Sequence, residues 1–138
     1  MKKILLIIVL LAMGCKSKPE KQIEFIEGYW EIESVHMENQ MLKTFKINSL
    51  IEYFKINSDL QGFRKKLKPN FNGTFEASKD ILNFRIEIQN NALFLNYNDN
   101  STSFQEEVLL VNNKKLVLKN RFGLIYHYKP YELLDLSQ

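Results

Sequence analysis

A chain of 138 residues with 19 Lys and Arg against 16 Asp and Glu, 45% hydrophobic and 25% charged side chains, has the balance of one compact domain and excludes a disordered or fibrous polymer. Met1–Gly14 holds two of the basic residues, so the remaining 124 carry 17 basic against 16 acidic, without the basic excess that nucleic acid demands of a partner. A lone cysteine excludes an intramolecular disulfide.

Met1-Lys2-Lys3 is a short positive segment, Ile4–Met13 is a run of ten apolar residues without a charge, and Gly14-Cys15 closes it. That is the pattern of a secretory signal peptide. As a helix the run spans roughly 15 Å at 1.5 Å per residue, half of a bilayer core, so it is too short to cross a membrane. The segment Leu11-Ala12-Met13-Gly14-Cys15 resembles the lipobox of bacterial lipoproteins. That resemblance implies cleavage before Cys15, diacylation of its sulfur and attachment to the lipid bilayer, where each buried methylene adds about 0.8 kcal/mol. The expected division is a lipoprotein signal peptide over 1–14, the lipidated Cys15 with a flexible tether over 15–22, and a folded domain over 23–138. No acidic residue follows Cys15 before Glu20, which favours an exported protein on the outer membrane of the cell envelope, facing the periplasm.

From residue 28 onward apolar residues recur with a period of two, broken by Asn, Gly and Asp at short intervals. Tyr29–Met37 predicts a first strand, with Trp30, Ile32, Ser34 and His36 on one face. Met41–Ile47 and Leu50–Lys55 follow as strands, then Gly62–Leu67 and Gly73–Ala77, separated by Pro69 to Asn72. Leu82–Gln89 alternates Phe84, Ile86 and Ile88 with Arg85, Glu87 and Gln89, and Asn90-Asn91 can take the positive φ of a tight hairpin turn. Ala92–Asn98 returns with Leu93, Leu95 and Tyr97 on one face. Thr102–Val111, Lys114–Lys119 and Phe122–Lys129 complete a meander that Pro130 is expected to end. Helix is expected at most over Gln22–Phe25 or Tyr131–Leu136.

Eight or nine short strands joined by tight turns predict an all-β domain, and closure into an antiparallel up-and-down barrel removes its two edges. Gly28-Tyr29-Trp30-Glu31-Ile32-Glu33-Ser34-Val35 has the Gly-x-Trp opening of lipocalins. Together with Gly73-Thr74-Phe75, Leu93-x-Leu95-x-Tyr97 and Tyr126-x-Tyr128-Lys129, it is similar to bacterial lipocalin-like domains. The resemblance covers about residues 26 to 130 and implies a calycin-type barrel of about eight strands. It also implies that Trp30 plugs the closed end, with Arg121 the nearest basic partner for a cation–π cap of about 0.5–2 kcal/mol.

Sites for chemistry are sparse. His36 and His127 are the only histidines; the strand alternation directs their side chains apart, and no metal-binding spacing exists. No nucleophile elbow, phosphate loop or dinucleotide fingerprint is present; Glu31/Glu33 and Glu106-Glu107 are paired carboxylates, the first pair on the polar face of its strand, and no general acid–base work is expected of them. Arg64-Lys65-Lys66 with Lys68 reads as a solvated edge strand, the alternative being a site for an anionic ligand head group at the barrel mouth or for anionic lipid at the anchoring membrane. No enzyme activity, metal or cofactor is expected. The aromatics Phe84, Phe94, Tyr97, Tyr126 and Tyr128 are the candidates to line an interior, with Tyr126 or Tyr128 orienting a ligand's polar end. The reading is a monomeric, membrane-anchored barrel binding a small hydrophobic or amphipathic ligand. The alternative is a filled barrel that binds a protein or glycan through its loops.

Overall fold

The structure, a computed structural model, describes residues 18–46, 48–99 and 102–132. The expected leader, Cys15, the start of the tether, the Asn100-Ser101 turn and most of the Tyr131–Leu136 segment lie outside the described residues. A helical turn, α1 (Pro19–Gln22), falls in the segment expected as tether and runs into a 3-10 turn over Ile23–Phe25. Nine strands follow: β1 (Gly28–Met37), β2 (Gln40–Thr44), β3 (Ile51–Ile56), β4 (Gln61–Pro69), β5 (Phe75–Gln89), β6 (Ala92–Asp99), β7 (Thr102–Val111), β8 (Leu116–Lys119) and β9 (Leu124–Pro130).

β1 pairs antiparallel with β2 and with β3, each strand from β3 onward pairs antiparallel with the next, and β1 pairs with β9 along Trp30–Met37, so the sheet closes on itself. β2 and β3 share one place in the barrel. Both lie on the same side of β1, β2 opposite Ser34–Met37 and β3 opposite Gly28–Trp30. The result is a closed antiparallel barrel of eight strand positions, as expected. The turns are built as their residues demand: Asn90 and Asn91 sit at φ 50 and 63, the paired positive values of a tight hairpin. Asn120 Oδ1 accepts from the backbone N–H groups of Phe122 and Leu124 at 2.9 and 3.0 Å.

Three local departures have physical causes. The segments expected as Gly73–Ala77 and Leu82–Gln89 are one strand, β5, because Ser78-Lys79-Asp80 forms a bulge opposite Lys66 instead of a loop. The pairing of β1 with β9 shifts register between Ile32 and Ser34, which reverses the faces of all later residues in β1. Pro130 does not end the ladder: it lies opposite Trp30, and Tyr131 N–H continues to the Tyr29 carbonyl at 2.9 Å.

The two ends of the barrel differ. At one end Ile26, Trp30, Phe54, Ile86, Leu93, Leu95, Leu116 and Leu118 are buried together, and the 3-10 turn caps them. Trp30 Nε1 donates to the Ile26 carbonyl at 2.9 Å, tying the cap to β1. Gly62 lies under the Phe84 ring, where any Cβ would collide with that ring and with the Lys55 carbonyl. The other end, bordered by Phe45, Asn48–Leu50 and Asn120–Phe122, is open. Trp30→Ala is expected to cost about 3–5 kcal/mol through the cavity it leaves, and Trp30→Phe about 1 kcal/mol for the lost hydrogen bond, both read from urea unfolding.

Candidate functional site

The open half of the barrel holds a cavity of about 630 Å³ lined by residues from six of the nine strands and the loops at its mouth. Ile32 and Val35 from β1, Leu82 from β5, Phe104 from β7 and the loop residues Phe45 and Leu50 form its apolar walls. Phe104 stacks on Tyr97 with ring centroids 4.5 Å apart, and Tyr126 and Tyr128 of β9 also line the cavity.

Where the cavity meets the packed half stands a group the sequence reading missed. Arg64 of β4 points inward between Phe54 and Leu82, its cross-strand neighbours. Its Nη1 donates to Glu106 Oε1 at 2.7 Å and to the Tyr97 hydroxyl at 3.1 Å. Its Nε and Nη2 meet the two oxygens of Glu52 at 3.2 and 3.3 Å. The three charged side chains are 13%, 14% and 7% exposed for Arg64, Glu52 and Glu106. Burial works against the guanidinium charge, but Tyr97, Tyr128, Glu52 and Glu106 outweigh it and hold Arg64 even further above its ordinary value. Burial first, and then Glu106, pushes the Tyr97 hydroxyl well up, against the pull of Arg64, so it stays a neutral phenol; Tyr128 is raised for the same first reason.

The earlier reading of Arg64 as a solvated edge residue is therefore corrected. β4 lies between β3 and β5, so it has no free edge, and Arg64 shares its inward face with Gly62 and Lys66. Glu106 and Glu107 part company too: Glu106 lies opposite Leu95 inside, Glu107 opposite Phe94 outside. The one available signal was strand phase, since Phe104, Glu106 and Val108 occupy alternate positions facing Tyr97, Leu95 and Leu93.

A sequence model of the lipocalin-like domain family matches residues 26–118, from the capping Ile26 to the inward Leu118. The chain belongs to the lipocalin-like family. Among solved structures the lipocalin-like chain is similar to an uncharacterized protein from Bacteroides eggerthii, with 14% identity over 76% of this chain and 98% of that one, at a TM-score of 0.46. A search of curated proteins found no match.

The expected site residues separate by position. Tyr126 and Tyr128 line the cavity of the lipocalin-like barrel, and Tyr97 supports its floor through Arg64. Phe84 is buried against Phe54 and Tyr97, at centroid distances of 6.2 and 5.8 Å, outside the cavity lining. Phe94 is corrected: Leu93, Leu95 and Tyr97 take the inner face of β6, so Phe94 lies outside, opposite Glu87 and Glu107. Arg121 is corrected as well. Trp30 is at the closed end and Arg121 at the mouth, where its guanidinium lies 4.7 Å from the Phe122 ring centroid.

The two histidines come together instead of diverging. The register shift after Ile32 turns Ser34 and His36 outward, where His127 already faces, and the imidazole centroids stand 4.5 Å apart. Ser34 Oγ and His36 Nε2 form a hydrogen bond of 2.9 Å. No cluster of three or more His, Cys, Asp or Glu side chains able to hold a metal occurs among the described residues.

Two measurements check this description. Arg64→Met strands two carboxylates in the interior and is expected to cost about 3–5 kcal/mol in urea unfolding, whereas adding Glu52→Gln and Glu106→Gln to it recovers much of the loss. Burial, then His36 and Lys115, lower the His127 imidazole below its ordinary 6.5, against Glu33. The unfolded chain thus binds that proton at a higher pH than the folded one, and stability present above about pH 6.5 is lost as the pH falls through the lowered folded value. His127→Gln flattens that part of the stability–pH curve.

Proposed function

We propose that this lipocalin-like barrel binds a small amphipathic molecule in its open half, performs no chemistry on it, and is held on the bacterial envelope through acylated Cys15. The observation that carries the reading is the cavity itself. At about 630 Å³ it falls inside the range of small-molecule sites, about 300–1,000 Å³. Its apolar walls and few convergent polar groups are the division of labour such sites use. The alternative of a filled barrel acting through its loops is less well supported, because the open half is not filled.

The anchor fits this reading geometrically. Ile23 and Ile26 are packed against the closed end, and Cys15 is three Cα–Cα steps from Lys18, a reach of roughly 11 Å at full extension. An acyl anchor there holds the closed end near the bilayer and leaves the mouth directed away from it, so ligand exchange need not compete with anchoring.

A neutral amphiphile such as dodecanol at 100 times its Kd is expected to stabilise the protein by about 2.7 kcal/mol. Leu82→Trp, which fills the cavity from its wall, abolishes that gain while leaving a cooperative unfolding transition. Intact mass of the membrane-extracted protein reads the anchor: a diacylglyceryl adduct on Cys15 supports it, and an unmodified cysteine overturns it.

A further inference from the structure

Resting on the cavity reading above, the geometry points to the ligand's head group: we infer that the floor at Glu52 and Glu106 takes a cationic head, an alkylammonium or related nitrogen group, with the apolar body directed toward the mouth. A guanidinium at the end of an apolar chamber would ordinarily suggest an anionic ligand. Arg64 is not available for that role. Four of its N–H groups are already directed at Glu52, Glu106 and Tyr97, leaving one of the five donors a guanidinium has.

The carboxylates are in the opposite condition. Each carboxylate offers about four lone-pair sites. Arg64 occupies one on each Glu52 oxygen and one on Glu106 Oε1, and both residues line the cavity. One guanidinium against two carboxylates leaves the floor with a formal excess of one negative charge, set in a partly dry site where a Coulomb interaction is stronger than in water. Tyr128, close enough to feel the charges of Glu52 and Glu106, and Tyr126 also line the cavity, and aromatic rings suit an alkylated ammonium. The other cations of the lining are Lys66, the cross-strand neighbour of Glu52, and Arg121 at the mouth. Lys66 is exposed and makes no ion pair within 4 Å with a described carboxylate, so solvent screens its charge more than those of the floor. A carboxylate-headed ligand would have to bind in reverse, head at the mouth.

The test compares three amphiphiles of one chain length, dodecylamine, dodecanol and laurate, at neutral pH and below their micellar concentrations. Binding is measured by calorimetry to the full chain carrying Cys15→Ser, so that no acyl chain competes for the cavity. Dodecylamine is expected to bind at least ~10-fold more tightly than laurate, a difference of about 1.4 kcal/mol. In Glu52→Gln, which keeps the Arg64–Glu106 pair, the amine's advantage is expected to fall to near unity. Glu106→Gln does the same from the other side, while Lys66→Gln leaves amine affinity equal or higher. Equal or tighter binding of laurate overturns the inference, as does an amine preference untouched by either glutamate change. Binding of none of the three, dodecanol included, overturns the cavity reading itself.

Discussion

Closure between the first and last strands is the constraint on which the rest depends. With β1 paired to β9, the sheet has no edge to protect and one enclosed volume to fill, so the inward side chain at every position competes for the same space. Eight strand positions allow that volume to be packed or to hold a ligand. This chain does both along one axis: aliphatic and aromatic side chains fill the half beneath Trp30, and the half toward the mouth is lined but not filled. The plug at Ile26 follows from the same division, since it seals the packed end.

Most of the fold is written plainly in the residues. Period-two alternation, Asn-rich turns with side chains that accept backbone N–H groups, and the Gly28-x-Trp30 opening locate eight of the nine strands and the plug. The phase of those strands is less accessible. A bulge adds one residue and no hydrophobic signature, so the shift between Ile32 and Ser34 is invisible in an alternation that reads smoothly from Trp30 to His36. Everything beyond it is assigned to the wrong face, and the neighbouring histidines appear to diverge. Ser78-Lys79-Asp80 hides a bulge for the complementary reason: three polar residues in the middle of a strand read as its end.

Arg64 was hidden by an inversion of the usual pattern. Along β4 the apolar residues Phe63 and Leu67 face outward and Arg64 and Lys66 inward, as the pairing of Phe54 with Arg64 and of Glu52 with Lys66 requires. The outward side has its own apolar layer: Tyr53 meets Phe63 at 6.1 Å and Tyr29 at 4.7 Å, Phe75 stacks on Tyr29 at 5.4 Å, and Ile51 and Leu67 are buried opposite each other. Hydrophobicity therefore names the wrong face as the core. Only the partners on β3 and β7 make the inward placement of Arg64 sensible, and pairing across strands is not contained in any one strand.

That inversion bears on what the interior is for. A barrel built only to be stable would place Leu or Ile where Arg64, Glu52 and Glu106 stand, because a buried ion pair is frequently no better for stability than apolar residues of the same volume. Here the interior exchanges aliphatic contact for a fixed set of charges at one depth, directly where packing stops and the cavity begins. The cost is incurred at the boundary and nowhere deeper: the remaining buried polar side chain, Ser34, lies on the outer face. The same charges placed in the packed half would only destabilise it. Among the described residues, buried charge in this barrel is thus concentrated at the boundary between its packed and open halves.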